Sequence, residues 1–263
     1  MTWFTVSASA QGSRHVRLDQ PNEDAHRSGT SNGRAIVVVA DGHGSPACSR
    51  ADRGSQLAVD AVFDVLANPP QESHDQLALA VVGRWREAVE ADLSANSPDE
   101  SELMGAPAPH HLLYGTTAVG VAADEQTLTV LQIGDGDVLV GQRHSEVATR
   151  PIAPRNMDRP GATESLCQSD AESRVRIASI DLDSVPVDAV LIATDGLDTA
   201  FADAAWHDET MRDLLHRLQS MSSPDRIEES LEGWCEPPAA VGGDDTTIGL
   251  LVRHDLWSDG KES

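Results

Sequence analysis

A chain of 263 residues, 40% of them hydrophobic, fits one large domain or two small ones, and folding would bury roughly three quarters of the surface that the unfolded chain exposes. The formal net charge of −24 argues against binding to nucleic acid or anionic membranes, and it favours cations or basic partner segments. The apolar stretches are far shorter than a membrane span, and the first residues lack the pattern of a signal peptide, so we expect a cytoplasmic protein.

The three cysteines, Cys48, Cys167 and Cys235, lie far apart in the sequence and include no CxxC pair. An odd number at such spacings is typical neither of a disulfide framework nor of a zinc site. We therefore expect three reduced thiols.

The first predicted strand covers residues 3–9, which are partly alternating and rich in β-prone side chains. A polar loop follows over residues 12–26 and brings several cations close to the acids Glu23 and Asp24. Such a loop can bind an anion and contribute acids to a metal site, or it can simply be solvated, and its composition leaves both alternatives open.

The apolar run over residues 35–40 ends abruptly in Asp41, Gly42, His43 and Gly44. Six apolar residues rich in Ile and Val are typical of a strand that is covered on both faces. The two glycines allow a tight turn or a close approach of the backbone to a ligand. We therefore predict a strand that delivers the Asp41 carboxylate to a site, and a hairpin turn at Asp41 and Gly42 is the alternative.

Apolar residues recur at helical spacing over residues 47–66 and again over residues 74–95. The Asn-Pro-Pro sequence at residues 68–70 ends the first of these helices. Two consecutive amphipathic helices predict an antiparallel pair that covers one face of a sheet. Residues 96–111 are rich in proline and polar side chains, which predicts an exposed loop.

Three more strands are predicted over residues 112–122, 128–133 and 138–142. Turn signals separate them. The second turn, residues 134–137, favours a hairpin because a predicted strand lies on each side of it.

The C-terminal part of the chain begins with a segment, residues 149–174, that contains three prolines and little apolar periodicity. This composition predicts a long irregular segment that could cover a site. The remaining predicted elements are strands at 175–182 and 188–194, amphipathic helices at 206–219 and 224–234, and a last strand at 246–252.

The order of these elements is strands, a helix pair, strands, a second helix pair and a strand. It predicts an α+β fold with a central β-sandwich of two antiparallel sheets, flanked on each side by a helix pair, rather than an alternating parallel fold. We expect a single domain over residues 1–255 and a frayed tail over residues 256–263.

Acids follow several of the predicted strands. Three mainly apolar runs end in the dipeptide Asp-Gly, at Asp41, Asp135 and Asp195, and the pair Asp244-Asp245 precedes the last strand. This repetition predicts one shared oxygen-rich site, although any single acid could belong to a solvated surface. Clustered carboxylates with few His or Cys companions select Mg²⁺ or Mn²⁺ over zinc, and a pair of such ions can activate water for attack on a phosphoryl group.

Six short motifs carry more information together than any one of them alone. They are Asn22-Glu23-Asp24-Ala25-His26, Val39-Ala40-Asp41-Gly42-His43-Gly44, Gly115-Thr116-Thr117-Ala118, Gly134-Asp135-Gly136, Ala193-Thr194-Asp195-Gly196 and Asp244-Asp245-Thr246-Thr247. In this order and spacing they resemble the PP2C (PPM) family of metal-dependent protein phosphatases, in a compact bacterial form. The resemblance covers nearly the whole chain. It implies the β-sandwich with flanking helix pairs and the hydrolysis of phosphoserine or phosphothreonine on proteins. It also implies that the protein is a monomer and that a cognate kinase phosphorylates its substrates.

The resemblance also implies a role for each matching residue. Asp41 would bridge two metal ions, and His43 would protonate the leaving oxygen, a role that suits the pKa of histidine. Asp135 matches an acid that the family uses at a third, weaker metal position. The other implied metal ligands are the Gly42 carbonyl oxygen, Asp195, Asp244 and, mostly through bound waters, Glu23 and Asp24.

Two departures from the family pattern leave alternatives open. The arginine that would grip the substrate phosphate is Arg14 or Arg17, neither of which has the commonest spacing, and Arg17 is slightly preferred. The segment at 149–174 lacks the usual flap motif, so Asp158 or Asp170 could supply the ligand to a third metal ion instead.

The leading hypothesis is therefore a Mn²⁺- or Mg²⁺-dependent serine/threonine protein phosphatase. The altered flap and the unplaced arginine motivate an alternative, a catalytically weak regulatory module that binds phosphoproteins or partners through the same fold. A third hypothesis, an acidic scaffold without a metal site, predicts no stabilisation by divalent cations.

Overall fold

The computed structural model describes residues 2–70, 73–105, 110–153, 163–201, 206–221 and 223–257. The strands within these ranges are β1 (Trp3–Ala10), β2 (Ala25–Ser31), β3 (Arg34–Ala40), β4 (Ala118–Ala123), β5 (Thr127–Ile133), β6 (Asp137–Gly141), β7 (Arg176–Asp181), β8 (Ala189–Ala193) and β9 (Thr246–Arg253). The α-helices are α1 (Ser13–Leu18), α2 (Ala51–Ala67), α3 (His74–Ala95), α4 (Glu100–Gly105), α5 (Trp206–Ser220) and α6 (Asp225–Gly242).

The strands form two antiparallel sheets. One sheet has four strands in the order β1-β9-β8-β6, and the other has five in the order β2-β3-β4-β5-β7. Helices α2 and α3 cover the outer face of the five-stranded sheet, and α5 and α6 cover the outer face of the four-stranded sheet. The predicted α+β sandwich with a helix pair on each side is confirmed.

The burial of β3 on both faces explains why its sequence is apolar without interruption from Ala35 to Ala40. Its residues Ile36 and Val38 point into the apolar layer beneath α2 and α3, whereas Val37 and Val39 point into the layer between the two sheets. Successive side chains of a strand point to opposite faces, so a strand that is covered on both faces needs apolar residues throughout. All seven residues of β3 are buried, and the strand ends at the carboxylate of Asp41.

The turn at residues 134–137 is not a hairpin, and that prediction was wrong. Strand β5 already has β4 and β7 as its two neighbours, so β6 crosses to the other sheet and pairs with β8. Gly134 has a φ of 101°, a conformation that glycine adopts without strain and that lets the chain leave the first sheet. The crossing carries Asp135 to the edge between the two sheets.

Helix α6 extends eight residues beyond its predicted end at residue 234 and passes through Pro237 and Pro238. Its true stop signal is Gly243, which has a φ of 87° and donates its N–H to the carbonyl oxygen of Ala239 at 3.2 Å. Pro238 and Ala239 are buried, and this burial compensates for the hydrogen bonds that the two prolines cannot make.

Other elements differ locally from the predictions. The predicted polar loop at residues 12–26 contains α1 and the first two residues of β2, a strand that was not predicted. The described part of the predicted loop at 96–111 contains α4, and a 3₁₀ helix at His110–Tyr114 replaces the start of the strand predicted at 112–122. These short elements carry too little apolar periodicity to be recognised from the sequence alone.

The first residues of the predicted C-terminal tail are packed against the protein. A 3₁₀ helix covers His254–Trp257, in which Leu256 is buried and the Trp257 Nε1–H donates to the carbonyl oxygen of Leu218 at 2.9 Å. The rest of that tail, residues 258–263, lies outside the described residues. Among the described helices, none combines the length and the hydropathy that crossing a membrane requires.

Candidate functional site

The predicted site acids meet at one edge of the sandwich. Asp41 follows the end of β3, Asp195 follows the end of β8, Asp244 precedes β9, and Asp135 lies on the crossing from β5 to β6. Carboxylate oxygens of Asp41, Asp135 and Asp195 all lie within 4.8 Å of one another. Four acids from distant parts of the sequence thus converge on one place.

These acids line a cavity of about 420 Å³, which we call the acidic cavity. Its lining residues are Arg14, Asp41, Gly42, His43, Gly44, Ser45, Cys48, Asp135, Thr163, Asp195 and Asp244. The cavity therefore combines a carboxylate cluster with one guanidinium group, one imidazole ring and one thiol.

The Gly115-Thr116-Thr117 motif holds the backbone of Asp41. The Asp41 N–H donates to Thr117 Oγ1 at 3.1 Å, and its carbonyl oxygen accepts from the Thr117 N–H and from Thr116 Oγ1, both at 2.9 Å. The N–H of His43 donates to the Gly115 carbonyl oxygen at 2.9 Å. A conformation fixed at both residues limits the freedom of the two side chains in the cavity.

Gly42 is closely surrounded by backbone. A β-carbon at this position would lie 2.6 Å from the carbonyl oxygen of Glu23 and 2.8 Å from that of Ala51. The Gly42 N–H donates to the same Glu23 oxygen at 3.1 Å. Only glycine fits here, and the close approach brings the Glu23 segment against the loop after β3.

Glu23 offers an oxygen that lacks a partner. Its Oε2 atom is buried and accepts no hydrogen bond within the described structure. Burial is the main cause that raises the pKa of Glu23 above its usual value. A buried carboxylate oxygen without a donor is costly, so this atom fits a cation ligand.

Two acids of the acidic cavity, Asp41 and Asp195, have raised pKa values. Burial, followed by the charges of Asp24 and Asp195, raises the pKa of Asp41 well above its usual value. Burial, followed by the charge of Asp135, raises the pKa of Asp195 to about 7. Carboxylates held this close repel one another when ionised, and a divalent cation would remove the repulsion.

The donor set fits a hard divalent cation. Carboxylate and backbone carbonyl oxygens dominate, and they are the ligands that Mg²⁺ and Mn²⁺ prefer. The orphaned Glu23 oxygen and the mutual repulsion of the aspartates both point to an ion that the chain does not itself supply. The residues present therefore fit the metal ions that the family resemblance implies.

Asp24 lies behind the cavity wall and does not line it. Its Oδ2 atom accepts from Thr194 Oγ1 at 2.8 Å and from Thr247 Oγ1 at 2.7 Å, and burial raises its pKa to about 8. These contacts join the end of β8 to the start of β9. Asp24 therefore braces the two segments that carry Asp195 and Asp244.

The two candidate arginines lie in different surroundings. Arg14 lines the acidic cavity, and its Nη2 atom would be 3.4 Å from a β-carbon placed on Gly44. Arg17 instead lines a separate groove between α1 and α6, where its Nη1 donates to Ser13 Oγ at 3.4 Å. The structure thus brings Arg14, and not the slightly preferred Arg17, to the acids.

The candidates for a third metal position also separate. Asp135 lines the cavity and accepts a short hydrogen bond from the hydroxyl of Thr163. Asp170 is on the surface, where both of its carboxylate oxygens bind the guanidinium of Arg174 at 2.8 Å. Asp158 lies outside the described residues. Among the described residues of the segment at 149–174, Thr163 lines the cavity.

A buried contact that was not predicted from the sequence lies next to the site. His15 and Asp245 are both buried, and the His15 Nδ1 atom lies 2.8 Å from Asp245 Oδ2. The consecutive acids Asp244 and Asp245 were one available signal of this contact. Neighbouring side chains point in different directions, so both acids could not belong to the same cluster and the second needed a separate hydrogen-bond partner. His15 was visible only as one more polar residue of a polar loop.

Comparison with known proteins identifies a family. A family model described as Protein phosphatase 2C matches residues 11–235. Serine/threonine-protein phosphatase 3 of Escherichia coli (strain K12) is 26% identical over 184 residues, which are 66% of this chain and 67% of that protein.

Solved structures show the same fold. PppA, described as a key regulatory component of T6SS in Pseudomonas aeruginosa, matches with a TM-score of 0.64 and 20% identity over 96% of this chain and 98% of that one. The serine/threonine phosphatase PstP/Ppp of Mycobacterium tuberculosis matches with a TM-score of 0.62 and 16% identity over 96% and 99%. A PstP catalytic domain in complex with two manganese ions matches with a TM-score of 0.61 and 18% identity over 95% and 97%. The chain belongs to the protein phosphatase 2C family of serine/threonine protein phosphatases.

Proposed function

We propose that the acidic cavity binds two Mn²⁺ or Mg²⁺ ions, with Asp135 available for a third, and that the phosphatase activity depends on them. The observation that carries this proposal is the convergence of Asp41, Asp135 and Asp195, whose carboxylate oxygens lie within 4.8 Å of one another. Burial and the neighbouring acids raise the pKa of Asp41 and of Asp195, so these two carboxylates need a cation to remain ionised near neutral pH.

The proposed ligands come from separate parts of the chain. They are the carboxylates of Asp41, Asp195, Asp244 and Asp135, the carbonyl oxygen of Gly42 and, mostly through water, the carboxylate of Glu23. Asp24, which the sequence also suggests as a ligand through water, lies behind the cavity wall and would act by holding the segments that carry Asp195 and Asp244. When bound, a pair of divalent cations makes water nucleophilic near neutral pH and neutralises charge on a phosphoryl group. The chain's own part is to hold these oxygens in place before substrate arrives.

Arg14 is the residue proposed to bind the substrate phosphate. It lines the acidic cavity beside Gly44, and a guanidinium group can donate two parallel N–H bonds to a phosphoryl group. The sequence analysis slightly preferred Arg17 for this role, and the position of Arg14 in the cavity reverses that preference. Arg14 also offsets part of the cavity's negative charge, which would otherwise repel a phosphate monoester.

His43 is the residue proposed to protonate the leaving hydroxyl oxygen of the phosphoserine or phosphothreonine. It lines the cavity, and burial lowers its pKa, while the charge of Asp135 opposes that shift. A lowered pKa makes the imidazolium a better proton donor and a less populated one, so this step would slow as the pH rises.

The substrates are phosphorylated proteins, as for other serine/threonine protein phosphatases. We propose further that a cognate serine/threonine kinase supplies them, and that the phosphatase acts as a monomer. An acidic chain with a net charge of −24 would associate most readily with phosphorylation sites that lie among basic residues.

The test uses the purified full chain and a set of phosphoserine and phosphothreonine peptides. We expect phosphate release with Mn²⁺ or Mg²⁺, loss of activity with EDTA, recovery when excess metal is added, and a higher melting temperature with metal. Asp195→Asn should abolish most of the turnover. Asp170→Asn is the matched control, because Asp170 is an exposed acid paired with Arg174, and it should retain activity.

Two outcomes would overturn the proposal. One is the absence of metal-dependent turnover on every peptide. The other is tight binding of phosphopeptides without turnover, which would favour the regulatory module instead.

A further inference from the structure

A buried histidine–aspartate pair lies beside the acidic cavity without lining it. His15 and Asp245 are each 3% exposed, and Nδ1 of His15 lies 2.8 Å from Oδ2 of Asp245. A buried carboxylate is tolerated only where donors surround it. The partners of Asp245 therefore indicate what this pair holds in place.

Three nitrogen atoms converge on the Asp245 carboxylate. Oδ1 accepts from the backbone N–H of Gly12 at 2.7 Å, Oδ2 accepts from the backbone N–H of Glu23 at 2.7 Å, and Oδ2 also lies 2.8 Å from Nδ1 of His15. The two backbone groups are donors, and the His15 ring is a third donor in the tautomer that carries its proton on Nδ1. An amide in its place would turn an NH₂ group towards one of the backbone N–H groups.

The pair contacts proposed metal ligands on two sides. The Asp245 carboxylate binds the backbone of Glu23, the residue whose Oε2 is buried without a partner. The Asp245 N–H donates to Asp244 Oδ1 at 3.1 Å, and His15 Nε2 lies 4.0 Å from that same oxygen. One buried pair thus links a ligand near the start of the chain to a ligand near its end.

The same contacts hold the helix that carries Arg14. Gly12 and His15 fasten the start of α1 to Asp245, and the Arg14 N–H donates to the carbonyl oxygen of Gly243 at 2.9 Å. Helix α1 has only six residues, so it has little stability of its own. Its position relative to the cavity depends on these anchors.

We propose that the His15–Asp245 pair is a positioning element that sets Glu23, Asp244 and α1 relative to one another and thereby raises the affinity of the cavity for Mn²⁺. The pair acts through the residues that it holds and does not itself touch metal or substrate. This inference rests on the proposed metal-dependent function. Residues that orient metal ligands typically raise metal affinity or activity by about 10- to 100-fold.

The experiment measures Mn²⁺ binding to the full chain by isothermal titration calorimetry. His15→Leu should weaken Mn²⁺ binding by roughly 10- to 100-fold, and Asp245→Asn should weaken it similarly because one N–H loses its acceptor. Val16→Ala is the matched control. It changes the next residue of α1, which is 61% exposed, and it should leave the affinity unchanged.

A second pair of variants keeps the test decisive if His15→Leu fails to fold. The amide nitrogen of an asparagine side chain can take the place of the imidazole Nδ1, whereas that of a glutamine side chain extends towards the Nε2 position. His15→Asn should therefore bind Mn²⁺ more tightly than His15→Gln, with less than about a tenfold loss from the wild type. Equal affinities for the two variants would contradict the proposal.

The melting temperature without metal separates positioning from simple stabilisation. If the pair only anchors α1, the variants lower this temperature while their Mn²⁺ affinity equals that of the wild type, and the proposal is overturned. If the wild-type chain itself binds no Mn²⁺, the metal-dependent function fails instead. Wild-type binding with an affinity loss in His15→Leu supports both.

Discussion

Two clusters of acids flank the segment that joins β3 to α2, and the pKa values of their acids are shifted in opposite directions. At the end of β3 lies the acidic cavity. At the start of α2, Arg50 binds both carboxylate oxygens of Glu102, at 2.7 and 2.8 Å, and donates to the hydroxyl of Tyr114 at 2.8 Å. We call this second cluster, together with Asp92, the Arg50 network.

The pKa values express the difference between the clusters. Hydrogen bonds from Arg50 lower the pKa of Glu102 to about 2, whereas burial and neighbouring acids raise the pKa of Asp195 to about 7. In the Arg50 network one arginine binds both carboxylate oxygens of its acid, whereas among the described residues no cation forms an ion pair with Asp41, Asp135 or Asp195. An acid cluster without such a pair points to a cation from outside the chain, whereas a paired cluster stabilises the fold.

The largest expected effect comes from Asp41→Asn. We expect kcat/KM to fall on the order of 10³-fold, about 4 kcal/mol of transition-state stabilisation, because a proposed metal ligand is lost. The same substitution removes a repelling carboxylate, so the metal-free variant should melt at a higher temperature than the wild type at about pH 9. Activity assays and calorimetry check the two results, and a lower melting temperature would contradict the repulsion.

The metal-free protein should lose stability as the pH rises. The pKa of Asp24 is raised to about 8 and that of Asp195 to about 7, both from 3.8. Between the unfolded and folded values the native state binds more protons than the unfolded state, so the free energy of unfolding falls from about pH 4 to about pH 8. Urea unfolding in EDTA measures this slope.

Saturating Mn²⁺ should remove most of that slope, because it binds the ionised carboxylates. Asp195→Asn, measured in EDTA, should have a shallower slope than the wild type. A metal-free stability that stays level or rises between these pH values would mean that burial and neighbouring charges do not raise the pKa values of Asp24 and Asp195 in the folded state.

The third prediction contrasts the two arginines of α1. Arg14→Ala should lower kcat/KM by roughly 10- to 100-fold, since a charge-assisted hydrogen bond contributes about 1.5–3 kcal/mol. Arg17→Ala is the matched control and should change kcat/KM by less than about twofold, because an exposed charge outside the cavity contributes little. Steady-state kinetics on one phosphopeptide compares the two variants. A larger loss of kcat/KM in Arg17→Ala than in Arg14→Ala would assign phosphate binding to Arg17.

The smallest effect is expected in the Arg50 network. Glu102→Gln should lower the free energy of unfolding by about 1–2 kcal/mol, since it weakens a mostly buried, doubly hydrogen-bonded ion pair. It should leave the Mn²⁺ dissociation constant unchanged. Denaturant unfolding and calorimetry test the two parts, and a large change in Mn²⁺ affinity would show that the two clusters are coupled.

Much of the architecture was predictable because its signals are local. The uninterrupted run before Asp41 predicted a strand covered on both faces, and the structure has it between two apolar layers. The stripe over residues 74–95 predicted helix α3 with its observed bounds. Acids at strand ends predicted a shared site because strand ends meet at sheet edges, and Asp41, Asp135, Asp195 and Asp244 line one cavity.

The errors arose where the partner of a segment is distant in sequence. The turn at residues 134–137 looks like a hairpin locally, but β5 already pairs on both sides and β6 must join the other sheet. Helix α6 continues through two prolines because tertiary burial supports it. Periodicity describes how a segment is covered, but it does not identify the neighbour that covers it.

The sequence by itself determined the sandwich, the helix pairs and the set of acids, because alternation and helical spacing act within a few residues. Only the tertiary structure decided how those acids are used. Asp244 lines the cavity while Asp245 turns inward, where the backbone N–H groups of Gly12 and Glu23 and the ring of His15 contact its carboxylate. Hydrogen bonds between segments more than 200 residues apart leave no local pattern, and they orient the site.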